Sequence, residues 1–317
     1  MANRIVKRRK GRVKSARKSG KTWLLAVDPF AGTELQPMWN LVRPLSEDVG
    51  ASVEAAYVLA PAAMNWTGEF SGPWMKKYAP IAHGRLAELL PEDAIKKTII
   101  PCRESGQRAA VKALADYARK IKADCLVIST HARHGLERLA LGSFAESVIL
   151  ISKVPVLVVN PAHKVPQHVR KILVPTDLTR RSEKFIEEVA RYAKALHAEV
   201  VLFHKQADPL DPIVQQGIYS LGGGWISMEN YMDVELENKT KQIERIEARL
   251  RKYDIPVSHV LDNSPQGLVE SIDQAAQSSG ADMVSVFTQA GSVSAALLGS
   301  VARGLVRNAS VPVLVRR

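Results

Sequence analysis

Short apolar runs alternate with stretches of helical period along most of the chain, and this alternation predicts strands and helices in turn. Residues 22–28 (TWLLAVD) read as a buried strand closed by an acid. Residues 33–49 follow as a helix containing Pro37 and Pro44, residues 53–60 as a second strand, and residues 61–80 as an irregular insertion with Met64, Trp66, Phe70, Trp74 and Met75. A helix near 81–90 and a strand at 98–102 come next, then an amphipathic helix over 106–122 and a strand at 124–129. Residues 139–159 (LALGSFAESVILISKVPVLVV) supply a turn, a helix opening at Gly142-Ser143 and, past Pro155, an unbroken apolar strand. Strands alternating with helices argue for a parallel sheet covered on both faces.

The same phrase returns at the end of the chain. Residues 297–315 read LLGSVARGLVRNASVPVLV, so Gly142-Ser143 matches Gly299-Ser300 and Val154-Pro155-Val156-Leu157 matches Val311-Pro312-Val313-Leu314. Between these ends the alternation restarts. Residues 171–177 (KILVPTD) are again a strand closed by an acid, followed by a helix at 181–197 and a strand at 199–204. A second insertion spans 206–230, then a charged helix 232–252, a strand 256–261, a helix 266–279 and a strand 282–287. One half is a copy of the other. The expected organisation is a tail at 1–21, a first domain at 22–160, a linker at 161–170 and a second domain at 171–317.

Composition changes this picture in one place. The net charge is +12, yet residues 1–21 hold ten basic residues and no acid, so the folded body is near neutral. Such a block reads as a disordered tail that meets nucleic acid, anionic lipid or an acidic partner, or that merely solubilises the chain. No apolar stretch of secretory length follows it, and Lys153 interrupts the longest apolar run, so neither a leader nor a membrane span is expected. Two cysteines, Cys102 and Cys125, lie in strand-like runs and read as small core residues in a reducing cytoplasm.

Candidate chemistry gathers at the carboxyl ends of the strands, where open parallel sheets bind their ligands. A glycine followed by serine at a helix start lets an anion approach bare amides at the positive end of the helix dipole. Asp28 and Asp177 close the first strand of each half and could accept from a base or ribose. His131 and His134 are three apart, without the carboxylate or cysteine partners a metal site needs. Ser143 and Ser300 have no evident base beside them.

With these residues in view the resemblance is specific. ILVPTDLTRRS (172–182) and THARHGLERLALGSFAESVI (130–149) resemble the first strand and the nucleotide loop of universal stress proteins, whose loop runs Gly, two residues, Gly, nine residues, Gly, then Ser or Thr. The resemblance covers about 22–159 and 171–315. It implies two tandem, open, mainly parallel five-stranded α/β sheets flanked by helices, of the adenine-nucleotide alpha-hydrolase-like kind. It also implies an intramolecular pseudo-dimer through the strands at 156–159 and 313–316, with further homo-oligomers open. It implies an ATP-type pocket in the first half lined by Asp28, Val58, Ser129, His131, Ala132, Gly142, Ser143, Phe144 and Ala145. The second-half counterparts are Asp177, Lys205, Gln289, Gly291, Gly299, Ser300, Val301 and Ala302. The ligand implied is ATP, with Mg as part of the nucleotide.

Each half departs from the family pattern. Ser129 and Ala132 stand where the first loop would carry glycines, Pro29-Phe30 follows Asp28, and Lys205 occupies a usually apolar adenine-contacting position. The second loop is one residue shorter, with Gly291 a partial compensation. The expectation is a cytoplasmic stress-response regulator that binds nucleotide in at least one half, better in the first, with at most slow ATPase or self-phosphorylating activity. The alternative is a scaffold that works through its basic tail and apolar insertions. Both leave a protein partner or anionic polymer for the tail and no membrane insertion.

Overall fold

The computed structural model describes residues 20–30, 35–60, 72–90, 95–130, 143–161, 165–206, 228–288 and 299–316. The basic tail and most of both insertions lie outside them. The first half runs β1 (Lys21–Ala26), α1 (Leu35–Asp48), β2 (Ala51–Leu59), α2 (Gly72–Leu89), β3 (Lys96–Pro101), α3 (Gln107–Lys120), β4 (Cys125–Ser129), α4 (Ser143–Ile151) and β5 (Val156–Val159). The second half repeats the order: β6 (Lys171–Pro175), α5 (Arg180–Leu196), β7 (Glu199–Lys205), α6 (Met228–Leu250), β8 (Val257–Asp262), α7 (Leu268–Ser279), β9 (Met283–Phe287), α8 (Ser300–Asn308) and β10 (Val313–Arg316).

The ten strands form one sheet in the order β3-β2-β1-β4-β5-β10-β9-β6-β7-β8. Every pairing within a half is parallel, and the two halves meet through antiparallel β5 and β10, with Leu157 opposite Leu314. Both strands lie in mid-sheet with helices on each face, so both sides of the pleat must be apolar. Val156, Leu157, Val158, Val159, Val313 and Val315 are buried accordingly. The two edges that a lone half would expose therefore cover each other.

One face of the sheet carries α1, α2, α5 and α6, with Met38, Leu86, Phe185 and Ile243 in its core. The other carries α3, α4, α7 and α8, with Leu114, Val148, Ile272 and Leu305. Keeping matching helices on the same face while reversing strand direction relates the halves by a pseudo-twofold axis normal to the sheet. Across that axis, Glu146 of α4 meets Arg307 at 2.5 Å and Arg303 at 3.7 Å on α8.

Local devices are repeated too. Asp124 Oδ2 accepts from the Thr22 amide at 2.7 Å, and Asp282 Oδ2 accepts from the Arg170 and Lys171 amides at 2.7 and 3.0 Å. Each aspartate ties the start of one strand to its neighbour. Helix α5 opens on Thr179, whose side chain accepts from the Ser182 amide, and closes on His197 in the left-handed region.

Two expectations change. Residues 72–80 are not irregular: they are the first half of α2, with Pro73 in its opening turn and Pro80 inside it. Proline is tolerated at a helix start because the amide it lacks would be unpaired there. The other insertion is likewise trimmed, since α6 begins at Met228. Both cysteines are free and buried in the core. No described helix is long and apolar enough to cross a membrane.

Candidate functional site

Parallel pairing puts the carboxyl ends of β1 to β5 on one edge of the sheet, and those of β6 to β10 on the opposite edge. The first edge brings together Asp28, Val58 and Ser129, with α4 starting at Ser143 beside them. The second brings together Asp177 and Lys205, with α8 starting at Ser300. His131, Ala132, Gly142, Gln289 and Gly291 lie outside the described residues, as does His134.

In the first half, β1 ends at Ala26, and Asp28 follows in the loop, its Oδ1 accepting from the Phe30 amide at 2.9 Å. That short turn turns the Phe30 ring outward. The ring is 44% exposed, meets Tyr57 edge-on with centroids 5.8 Å apart, and lies 6.0 Å from the Arg85 guanidinium of α2. Tyr57 is buried, and burial, reinforced by the nearby Asp28 charge, pushes its phenol well above the ordinary range. It is a neutral hydroxyl at all working pH. Val58, its neighbour, pairs in register with Ile100 of β3, and both are buried with Cys102 and Ala110 under α3. Ser129 is half-buried and its hydroxyl reaches the Thr130 carbonyl at 3.3 Å. Phe144 and Ala145 pack inward from the first turn of α4.

The second half has the same backbone and other chemistry. Lys205 pairs in register with Asp262 of β8, the positions of Val58 and Ile100. Its Nζ reaches Asp262 Oδ2 at 2.8 Å, Ser271 Oγ at 3.0 Å, Ser264 Oγ at 3.1 Å and the Ser264 carbonyl. Burial alone would raise the Asp262 carboxyl; hydrogen bonds from Lys205, Ser264 and Ser271 outweigh it and hold the acid well below the carboxylate range. Three ammonium protons are thus used within the protein. Ser264 and Ser271 take the places of Cys102 and Ala110: each is two residues past the strand pair or four past the glycine that opens the helix.

Asp177 is also more engaged than Asp28. The amide and hydroxyl of Thr179 donate to its Oδ1 at 3.0 and 2.7 Å. Burial would raise its pKa, but bonds from Ser182 and Thr179 leave it lowered. His204, opposite number of Tyr57, is buried and its Nδ1 lies 2.8 Å from the Thr176 carbonyl. The carbonyl can only accept, so Nδ1 carries the proton. Burial keeps the imidazole below its usual range. At the start of α8, Ser300 is exposed, and a Cβ built on Gly299 would meet nothing within 4 Å. Val301 and Ala302 pack inward.

Sequence reading missed Asp262, Ser264, Ser271 and Arg85. The first three were legible in principle. Laying one half on the other places DNS (262–264) against IPC (100–102). Arg85 had no local signal, since its contact with Phe30 is made between a helix and a loop 55 residues apart in sequence. Among the described residues, no group of acidic, histidine and cysteine side chains is arranged to hold a metal.

Comparison with known proteins accords with this architecture. The sequence profile of the universal stress protein family matches residues 25–160 and 168–317. Universal stress protein MJ0531 of Methanocaldococcus jannaschii is 28% identical over 142 residues, 45% of this chain and 64% of that protein's length. The chain therefore matches somewhat less than two thirds of that relative. Among solved structures, a universal stress protein from Archaeoglobus fulgidus DSM 4304 superposes with a TM-score of 0.63 at 18% identity, covering 93% of this chain and 98% of the other. A functionally unknown protein from Pseudomonas aeruginosa PAO1 superposes at 0.56 and 12% identity, covering 94% and 92%. At these identities the structural likeness speaks for the fold.

Proposed function

The chain belongs to the universal stress protein family, and from that membership we propose that it is a stress-response regulator that binds ATP, with little or no turnover, in its first half. The observation that carries the assignment to the first half is the contrast at the ends of the second and third strands. Val58 and Ile100 are apolar there, whereas Lys205 and Asp262 form an ion pair whose residual water a flat base would displace.

In this reading Asp28 accepts from the ribose or base, and the exposed ring of Phe30 gives a flat apolar wall at the mouth. The triphosphate lies toward Gly142 and Ser143 at the start of α4, with Ser129, His131 and Ala132 beside it and Mg carried in by the nucleotide. Asp177, Gln289, Gly291, Gly299, Ser300 and Val301 form the corresponding edge of the second half, which serves as structural support. ATP supplies a ligand whose level can be read; the protein's own residues bind and orient it, and no catalytic group is assigned. The setting proposed is the cytoplasm.

Equilibrium dialysis with radiolabelled ATP tests this directly. The expected result is saturable uptake of one nucleotide per chain, and no uptake at millimolar ATP would retire the proposal.

A further inference from the structure

We infer that the first-half site takes a nucleotide carrying a second phosphate on its ribose, at the 2′ or 3′ oxygen, and that Arg85 of α2 and the Tyr57 hydroxyl bind that phosphate. The inference rests on the nucleotide reading of this half and narrows the class of ligand.

The two ends of this site lie on opposite faces of the sheet. Helix α4, whose first turn would hold the 5′ phosphates, packs on the face of α3, whereas α2 packs on the other face with α1. Asp28 follows β1 at the edge between them. Beyond it the Phe30 ring meets Tyr57 edge-on with centroids 5.8 Å apart, and the Arg85 guanidinium lies 6.0 Å from the same ring. On a ribose the 2′ and 3′ oxygens lie across the ring from the 5′ carbon. A nucleotide anchored by its 5′ chain at α4, with its ribose at Asp28, therefore turns those oxygens toward Phe30 and Arg85.

Three groups gathered there are spare. Tyr57 is 5% exposed, and among the described residues its hydroxyl has no hydrogen-bond partner. Its oxygen is nevertheless not sealed off, as the Trp23 indole nitrogen and the Ser285 hydroxyl are. Burial and the Asp28 charge keep the phenol protonated, so it can donate, and buried polar groups are nearly always paired. Arg85 is exposed and makes no ion pair among the described residues. Its guanidinium is always charged and presents a fork of donors that fits a phosphate. Asp28 spends Oδ1 on the Phe30 amide at 2.9 Å and keeps Oδ2 open.

The second half spends the matching positions internally. Thr179 stands for Phe30, and its hydroxyl donates to Asp177 Oδ1 at 2.7 Å. His204 stands for Tyr57, and its Nδ1 lies 2.8 Å from the Thr176 carbonyl. The fold therefore does not need these groups left open, and what they ask of a ligand can be read from them. Arg85 and Tyr57 offer donors to an anion, and Asp28 Oδ2 accepts from a hydroxyl. A ribose phosphorylated on one of its two hydroxyls meets both demands: the phosphate accepts from Arg85 and Tyr57, and the remaining hydroxyl donates to Asp28. ATP meets only the acid and leaves the guanidinium idle.

The test is competition against radiolabelled ATP in equilibrium dialysis of the full chain, with adenosine 5′-monophosphate, adenosine 2′,5′-bisphosphate and adenosine 3′,5′-bisphosphate as competitors. One of the two bisphosphates should compete about ten-fold better than the monophosphate, the size of one hydrogen bond to a charged group. Arg85→Met should abolish that advantage, and Tyr57→Phe, which deletes only the hydroxyl, should lower it about three-fold. Lys77→Met, which removes a cation elsewhere on α2, should leave it unchanged. An advantage that survives Arg85→Met, or that falls as far in Lys77→Met, overturns the inference. So does a chain that takes up ATP and prefers neither bisphosphate, and in that case the nucleotide reading stands. A chain that takes up no ATP retires the nucleotide reading and this inference with it.

Discussion

The edge of β2 and β3 and the edge of β7 and β8 are built on one backbone plan and carry opposite chemistry. In the first half, Val58, Ile100, Cys102 and Ala110 close the space beneath α3 with apolar atoms. In the second, Lys205, Asp262, Ser264 and Ser271 close the matching space beneath α7 with an ion pair and two hydroxyls. A buried ion pair whose hydrogen bonds are complete is about as stable as the apolar set it replaces. The fold can therefore accept either solution. A ligand cannot, because a base laid on the apolar edge loses nothing, while one laid on the ionic edge strips water from two charges. Duplication preserved the framework and left the strand ends free to diverge.

The comparison can be broken most sharply by removing one member of the ionic set. Asp262→Ala leaves the Lys205 ammonium without its carboxylate, and a loss of about 3 kcal/mol in urea unfolding is expected, at the lower end for buried pairs because both groups keep some exposure. The double change Lys205→Val with Asp262→Ile, which copies the first half, should cost less than the single change. The converse exchange tests function. Val58→Lys with Ile100→Asp should weaken ATP binding about 100-fold, roughly 2.7 kcal/mol, by calorimetric titration, whereas Lys205→Val with Asp262→Ile should leave that first-site affinity unchanged.

The loops after β1 and β6 sharpen the contrast further. Phe30→Ala removes the aromatic wall and should weaken ATP binding about five-fold, in keeping with the roughly 1 kcal/mol carried by aromatic contacts. Thr179→Ala, at the matching position, removes the α5 cap and should lower stability by about 1 kcal/mol with no change in affinity. The smallest effect expected is a pH dependence confined to the second half. The folded His204 imidazole titrates below its ordinary value of 6.5, so the unfolded chain takes up its proton first. Stability should therefore fall as pH drops below about 6.5. Exchanging the residue for its first-half counterpart, His204→Tyr, should flatten that slope in urea titrations run between pH 7 and 5.

Much of the architecture is legible in the amino-acid sequence. The amphipathic spacing of Val111, Leu114 and Ala118 marked α3, and the unbroken apolar run 156–159 marked a strand buried on both faces. Residues 72–80 read as part of an irregular insertion, yet they form the first half of α2, with Pro73 in its opening turn, where a proline costs little, and Pro80 in mid-helix. Asp28 and Asp177 accept the same kind of bond, from the Phe30 and Thr179 amides two residues on, and what distinguishes them is the Thr179 hydroxyl, a second donor that Phe30 cannot supply. Side-chain partners of that kind depend on the next two residues and on packing, which periodicity does not carry.

By itself the sequence determined the duplication, the order of strands and helices, and the residue types at the strand ends, because these follow from periodicity and from offsets within the chain. Tertiary structure alone decided that Lys205 is consumed by Asp262, Ser264 and Ser271, that Arg85 lies over Phe30, and that the seam between the halves sets Leu157 opposite Leu314. The physical reason is distance. These contacts join residues far apart in sequence, and whether a polar group is spent or spare depends on neighbours that only folding brings within hydrogen-bond reach.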